Sequence, residues 1–151
     1  MEHYIKQLQH LYSIAEDGKQ GYLRAAEKTE SNELKELFKQ FSNEREAIAN
    51  DIAVKISRYG GSVQSDENGG PLGIIHRNWL NIKTAFTSNN DQVILETCKN
   101  GDLAALDAYD DALQGDLLYT SLKKFLTEHR LIIREAFDKI DQLYFKTFKE
   151  T

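Results

Sequence analysis

The chain has 151 residues, 40% of them hydrophobic and 28% charged, the make-up of one folded domain and not of a disordered segment. Its 19 basic and 24 acidic side chains leave a net charge of -5, which disfavours nucleic acid and anionic membranes as partners. A lone cysteine, Cys98, permits neither an internal disulfide nor a thiolate metal cage, so a reducing compartment, by default the cytoplasm, is expected.

Met1 to Lys6 is charged and polar, and the longest unbroken apolar run, Leu103 to Leu106, is too short for a signal-peptide core or a membrane span. From Glu2 to about Thr29 the apolar positions Ile5, Leu8, Tyr12, Ala15, Tyr22 and Ala26 keep the spacing of three and four that marks a helix. Thr29 to Asn32 supplies capping oxygens, and Glu33 suits the first turn of a second helix. That helix carries Leu34, Phe38, Phe41, Ile48, Ile52 and Ile56 on one stripe and ends at Tyr59, before Gly60-Gly61. Residues Gly60 to Gly73 contain 5 of the 9 glycines and the only proline, Pro71, and read as a long exposed connection. Ile74, Ile75, Trp79, Ile82 and Phe86 mark a short amphipathic helix within the crossover. A third long helix runs from about Asp91 to Leu113 and stops at Gly115; a fourth runs from about Leu118 almost to Thr151. No strand pattern is present.

Long helices of matched length, with tight turns near Glu30 and Gly115, predict two antiparallel hairpins. The long connection between the hairpins can return the chain along the whole bundle. The expected fold is therefore one all-α domain over residues 1–151: a ferritin-like four-helix bundle whose crossover carries a short extra helix.

Asp17-Gly18, Gly21-Tyr22, Ala25-Ala26-Glu27, Glu44-Arg45, Gly60-Gly61, His76-Arg77 with Trp79, Gly101-Asp102 and Tyr109 carry a resemblance over Ile5 to Gly115. With these residues the chain resembles the ferritin-like domain-of-unknown-function family of stand-alone bacterial four-helix-bundle proteins. The resemblance implies the bundle and no particular activity. Related members tend to show two acidic residues in the third helix, where this chain has Lys99 and Asp102, which weakens a metal role carried over from the wider superfamily.

A di-iron site in such a bundle needs carboxylates from several helices and histidines three residues after a glutamate. Gln7, Gly73 and Leu126 stand three before His10, His76 and His129, so the Glu-x-x-His element is absent. Polar residues nevertheless interrupt the apolar stripes: Arg45 between Phe41 and Ile48, Asp102 between Leu95 and Leu106, and His129 between Phe125 and Ile132. Counted from the two turns these fall at one height. The preferred reading is a buried polar layer of Tyr12, Tyr22, Arg45, Asp102 and His129 in a non-enzymatic protein without a cofactor, since buried ions must be paired. The alternative is a degraded site for two irons or another divalent metal, held by Glu16, Glu44, Asp102, Glu128 and His129, in an oxidoreductase or iron-handling protein.

Other features have plainer readings. Gly18 and Gly21 inside a helix cost about 1 kcal/mol each relative to alanine, which asks for a ring, such as Trp79 or Tyr109, packed against the backbone. His3 and His10 share a helical face, as a surface zinc site would need, although two solvated histidines are the commoner arrangement. His76, Arg77 and Trp79 pack the crossover or contact a partner. Cys98 is expected to be a buried thiol. A side of Ala104, Ala105, Ala108 and Ala112, with Tyr4, Phe145 and Phe148 exposed, suggests a homodimer seam; no other protein partner is indicated.

Overall fold

The computed structural model describes residues 2–63, 79, 90–115 and 120–149, which form four long α-helices and no strand. These are α1 (Glu2–Lys28), α2 (Asn32–Arg58), α3 (Asp91–Gln114) and α4 (Thr120–Lys149). The crossover helix expected over 74–86 lies outside the described residues except for Trp79. Ser31 caps α2, its hydroxyl accepting from the Leu34 amide at 3.2 Å, and Asn90 caps α3, accepting from the Gln92 amide at 2.9 Å. Beyond α2, Gly60 takes the left-handed conformation (φ 87°) while the Gly61 amide donates back to the Ile56 carbonyl.

Side-chain contacts fix the direction of every helix. Thr29 to Ser31 is all that separates α1 from α2, so these two fold back as a hairpin. The ion pairs Lys99–Asp141 (2.8 Å) and Arg130–Asp110 (2.6 Å) do the same for α3 and α4. Thr29 donates to Asp91 at 2.7 Å and Tyr22 to Asp102 at 2.5 Å, so numbers falling along α1 meet numbers rising along α3. The pairs Asp51–His129 and Lys55–Phe125 set α2 against α4 in the same antiparallel sense. Both α2 and α3 thus oppose α1 and run parallel to each other. The end of α2 and the start of α3 therefore lie at opposite ends of the bundle, about 40 Å apart.

In cross-section α1 packs on α2 and α3, and α4 on α3 and, more thinly, on α2; α2–α3 and α1–α4 are the diagonals. One core fills the centre, with Leu8, Leu11 and Ile14 of α1, Phe38, Ile48 and Ile52 of α2, Ile94 and Leu106 of α3, and Leu126, Ile133 and Ile140 of α4 all buried. Each such side chain contributes roughly 1.5–3 kcal/mol, so packing, and not helix propensity, holds the bundle.

The alanine side of α3 faces the chain's own core. Ala105 and Ala112 are buried in the chain's own core, Ala104 and Ala108 pack against it, and Tyr4 is buried as well. Small residues here let α3 approach its own neighbours. Phe145 and Phe148 remain half-exposed beside Tyr144.

Candidate functional site

At mid-height Arg45 leaves α2 and reaches across the bundle diagonal to α3. Its Nη2 donates to Asp102 Oδ1 at 2.7 Å, and the Tyr22 hydroxyl, from α1, donates to Asp102 Oδ2 at 2.5 Å. Three helices therefore meet on one carboxylate whose two oxygens both face donors. The guanidinium carbon lies 5.4 Å from the Tyr22 ring centroid, and Arg45 and Asp102 are 1% and 0% exposed. Gly18 makes the room: a Cβ there would stand 2.7 Å from Arg45 Nη1.

One side of this trio is closed by Trp79. Its indole is wedged between α1 and α3 where Gly21 and Gly101 face each other, and a Cβ on either glycine would overlap the ring. The ring also meets Tyr22 edge-on, with centroids 5.1 Å apart. Two helical glycines, each unfavourable on propensity, are explained by one aromatic wedge.

Burial sets the electrostatics. It pushes the Asp102 carboxyl up from the usual carboxylate range, against the opposing pull of Arg45 and the Tyr22 hydroxyl. For Arg45 burial favours the neutral form, but Asp102 and Tyr22 outweigh it and hold the guanidinium charged. The phenol of Tyr22 is driven well above its ordinary range by burial and then by Asp102; burial does the same to the Cys98 thiol, again with Asp102 adding to it. A tyrosine that stays protonated and a guanidinium that stays charged make a fixed donor set around the Asp102 carboxyl.

The other residues singled out from the sequence do not join the trio. Buried His129 faces Asp51, with Nε2 3.2 Å from Oδ2, and lies edge-on to Phe125. That contact is six residues along α2 from Arg45, about 9 Å away. The offset comes from the second hairpin: the ion pairs Lys99–Asp141 and Arg130–Asp110 are both centred on residue 120 and not on Gly115, so counting from Gly115 misjudges heights on α4. Tyr12 is half-buried on the flank of the core, and no hydrogen bond among the described residues joins it to Asp102. Glu16 is half-buried, Glu44 accepts from Gln40 Nε2 on its own helix at 3.1 Å, and Glu128 is exposed. His3 is exposed and His10 half-buried, and they form no cluster. His76 and Arg77 lie outside the described residues.

A metal centre as in the sequence-based alternative needs free carboxylate lone pairs turned to one point, and these residues do not fit one. Both Asp102 oxygens accept from donors, a guanidinium stands 2.7 Å away, Glu44 accepts from Gln40, and His129 faces Asp51. Among the described residues no three His, Cys, Asp or Glu side chains are grouped to hold an ion.

Asp51, as the partner of His129, and Gly101, as the second wall of the Trp79 slot, were not picked out from the sequence as playing these parts. Gly101 carried a signal of the same kind as Gly21, a costly glycine inside a helix; Asp51 carried none, being an acidic residue on an exposed face. The edge between α2 and α4 also holds an open groove of about 830 Å³, with Leu34, Leu37, Ala47 and Leu143 along it.

No curated protein and no solved structure matches the chain. A model of the domain of unknown function DUF2383 matches residues 3–115, from the start of α1 to the end of α3, and so takes in Tyr22, Arg45, Trp79 and Asp102. The chain belongs to the DUF2383 domain family.

Proposed function

We propose that the protein is a ferritin-like bundle without enzymatic activity, in which an ion pair occupies the place of a di-iron centre. The ferritin-like reading is supported by the helix directions, since two hairpins joined by one bundle-length crossover are the topology of that class. The observation that carries the non-enzymatic reading is the double occupation of Asp102, with Arg45 on one oxygen and Tyr22 on the other. A cation placed there would meet a guanidinium and have to displace it. The trio acts in folding: charges stranded in the core by a slipped register are costly, so the pair favours the register that joins Arg45 to Asp102. It works in the cytoplasm of a bacterium, in keeping with its single buried thiol, and pairs as a homodimer through the half-exposed Phe145 and Phe148. No helix among the described residues is long and apolar enough to cross a membrane.

The test is metal analysis of the purified chain followed by anaerobic Fe(II) titration and measurement of oxygen uptake. The expected result is no stoichiometric iron and no uptake above the buffer rate. Binding of about two ions per chain, the di-iron loading of ferritin-like bundles, would replace this reading with the iron-handling one. Sedimentation equilibrium tests the dimer, which a monomer at all concentrations would rule out.

A further inference from the structure

We propose that the bundle centre holds one ordered water as a resident ligand, bridging the Arg45 Nε–H and the Tyr109 hydroxyl. Both side chains are fully buried, and among the described residues neither polar atom has a hydrogen-bond partner. The neighbouring polar atoms are satisfied, Arg45 Nη2 and the Tyr22 hydroxyl both donating to Asp102. Buried donors and acceptors are nearly always paired with protein or ordered water; of the four buried polar atoms without a partner among the described residues, these two belong to α2 and α3 across one diagonal of the core and can share one.

The helix register places them within reach of a single bridge. Helices α2 and α3 run parallel, and the Arg45–Asp102 bond sets their relative height. Tyr109 follows Asp102 by two turns, about 10 Å along the axis. A helical side chain leans back about one turn toward the N-terminus, which carries the Tyr109 hydroxyl toward the Asp102 layer. What remains along the axis is roughly one turn, and since the two atoms form no direct bond, one intervening water suits the gap. The electrostatics agree: Arg45 is the one charged group that acts appreciably on the Tyr109 phenol.

The charges select water over an ion. Asp102 already neutralises Arg45, so an added anion would sit close to a buried carboxylate and an added cation close to a guanidinium. A water accepts from Nε–H, exchanges a hydrogen bond with the phenol, and keeps two sites for nearby carbonyls.

The experiment is a crystal structure of the full chain at a resolution that shows ordered solvent, paired with the same structure of Tyr109→Phe. The expected result is one water within hydrogen-bond distance of both Arg45 Nε and Tyr109 Oη, displaced or lost in the variant. A direct Arg45–Tyr109 bond, a protein carbonyl taking either atom, or a dry gap would each overturn the proposal, as would an unmoved water in Tyr109→Phe. If the variant fails to fold, the density in the unaltered protein decides alone.

Discussion

The two edges of the bundle are built differently. Between α1 and α3 a tryptophan is wedged against facing glycines, a tyrosine bonds a buried aspartate, and a threonine ties the helix ends together. Between α2 and α4 the packing is thin, the clearest polar link is a histidine on a 63%-exposed aspartate, and part of the edge opens into a groove. The first edge lies wholly within the DUF2383 match, whereas α4 lies beyond it. The buried polar contacts that set register thus lie among α1, α2 and α3, while α4 is held by apolar burial and by the partly exposed ion pairs Lys99–Asp141 and Arg130–Asp110. Changes at the first edge should cost the most, and those at the second should mainly show as pH or surface effects.

The largest effect is expected at Arg45. Arg45→Ala leaves the Asp102 carboxylate buried beside a single tyrosine donor, at a cost of about 3–5 kcal/mol. For a chain of this length that is a fall in Tm of roughly 10 °C or more. Replacing the set together, as Arg45→Met, Asp102→Leu and Tyr22→Phe, is expected to recover most of the loss, because no charge or hydroxyl is then stranded. Denaturant melts of both variants check this. If the triple variant is as unstable as Arg45→Ala, the cost did not come from the stranded carboxylate.

Next come the glycines under Trp79, where two effects have opposite signs. Helix propensity alone says that Gly21→Ala or Gly101→Ala stabilises by about 1 kcal/mol. Overlap of the new methyl with the indole says that either destabilises by about 1–3 kcal/mol. The structure favours the second outcome, and a rise in Tm for either variant would show that Trp79 is not wedged there. In a Trp79→Ala background the penalty should vanish and the propensity gain should appear.

How much of this could be read from the sequence differs between the same two edges. Four helices, their caps and their pairing followed from a period of three to four residues and from short turns, both local signals. Arg45 and Asp102 stood out because each breaks an otherwise apolar stripe, and a buried ion needs a partner of opposite sign. The placing of His129 failed because height on α4 depends on how many residues the α3–α4 connection takes, and composition does not specify that number. An error of a few residues in a turn becomes several ångströms of axial shift, enough to remove a side chain from a layer. The inward turn of the α3 alanines was missed for a related reason: small residues permit close approach without saying to which neighbour.

His129 gives the pH test. Burial holds its imidazole below the ordinary value of 6.5, with Asp51 pulling it partly back up, and among the described residues its Nδ1 has no partner to receive a second proton's hydrogen bond. The unfolded chain therefore takes the proton first. The stability this group contributes is fully present above pH 6.5 and is lost as pH falls through the lower folded value. His10, also lowered chiefly by burial, has the same sign. Thermal melts at pH 7 and pH 5 should thus differ less for His129→Gln, which keeps a donor for Asp51, than for the unaltered chain. An identical difference in both would mean that His129 is not held neutral.

The smallest effect is expected at Lys55. On the same thin edge its ammonium lies 4.8 Å from the Phe125 ring centroid, one turn from the Asp51–His129 contact. A cation over a phenyl face near solvent is worth about 0.5–1 kcal/mol, and the stem of the lysine adds some cover to the ring. Lys55→Ala should therefore cost well under a third of what Arg45→Ala costs, and Lys55→Arg, which keeps both charge and stem, should cost almost nothing. Added salt should change the melting of Lys55→Ala and the unaltered chain nearly alike, because one half-buried charge near solvent is already largely screened. If Lys55→Ala matched Arg45→Ala, the contrast between a closed edge and an open one would fail, since the α2–α4 contact would then bear as much of the stability as the buried trio.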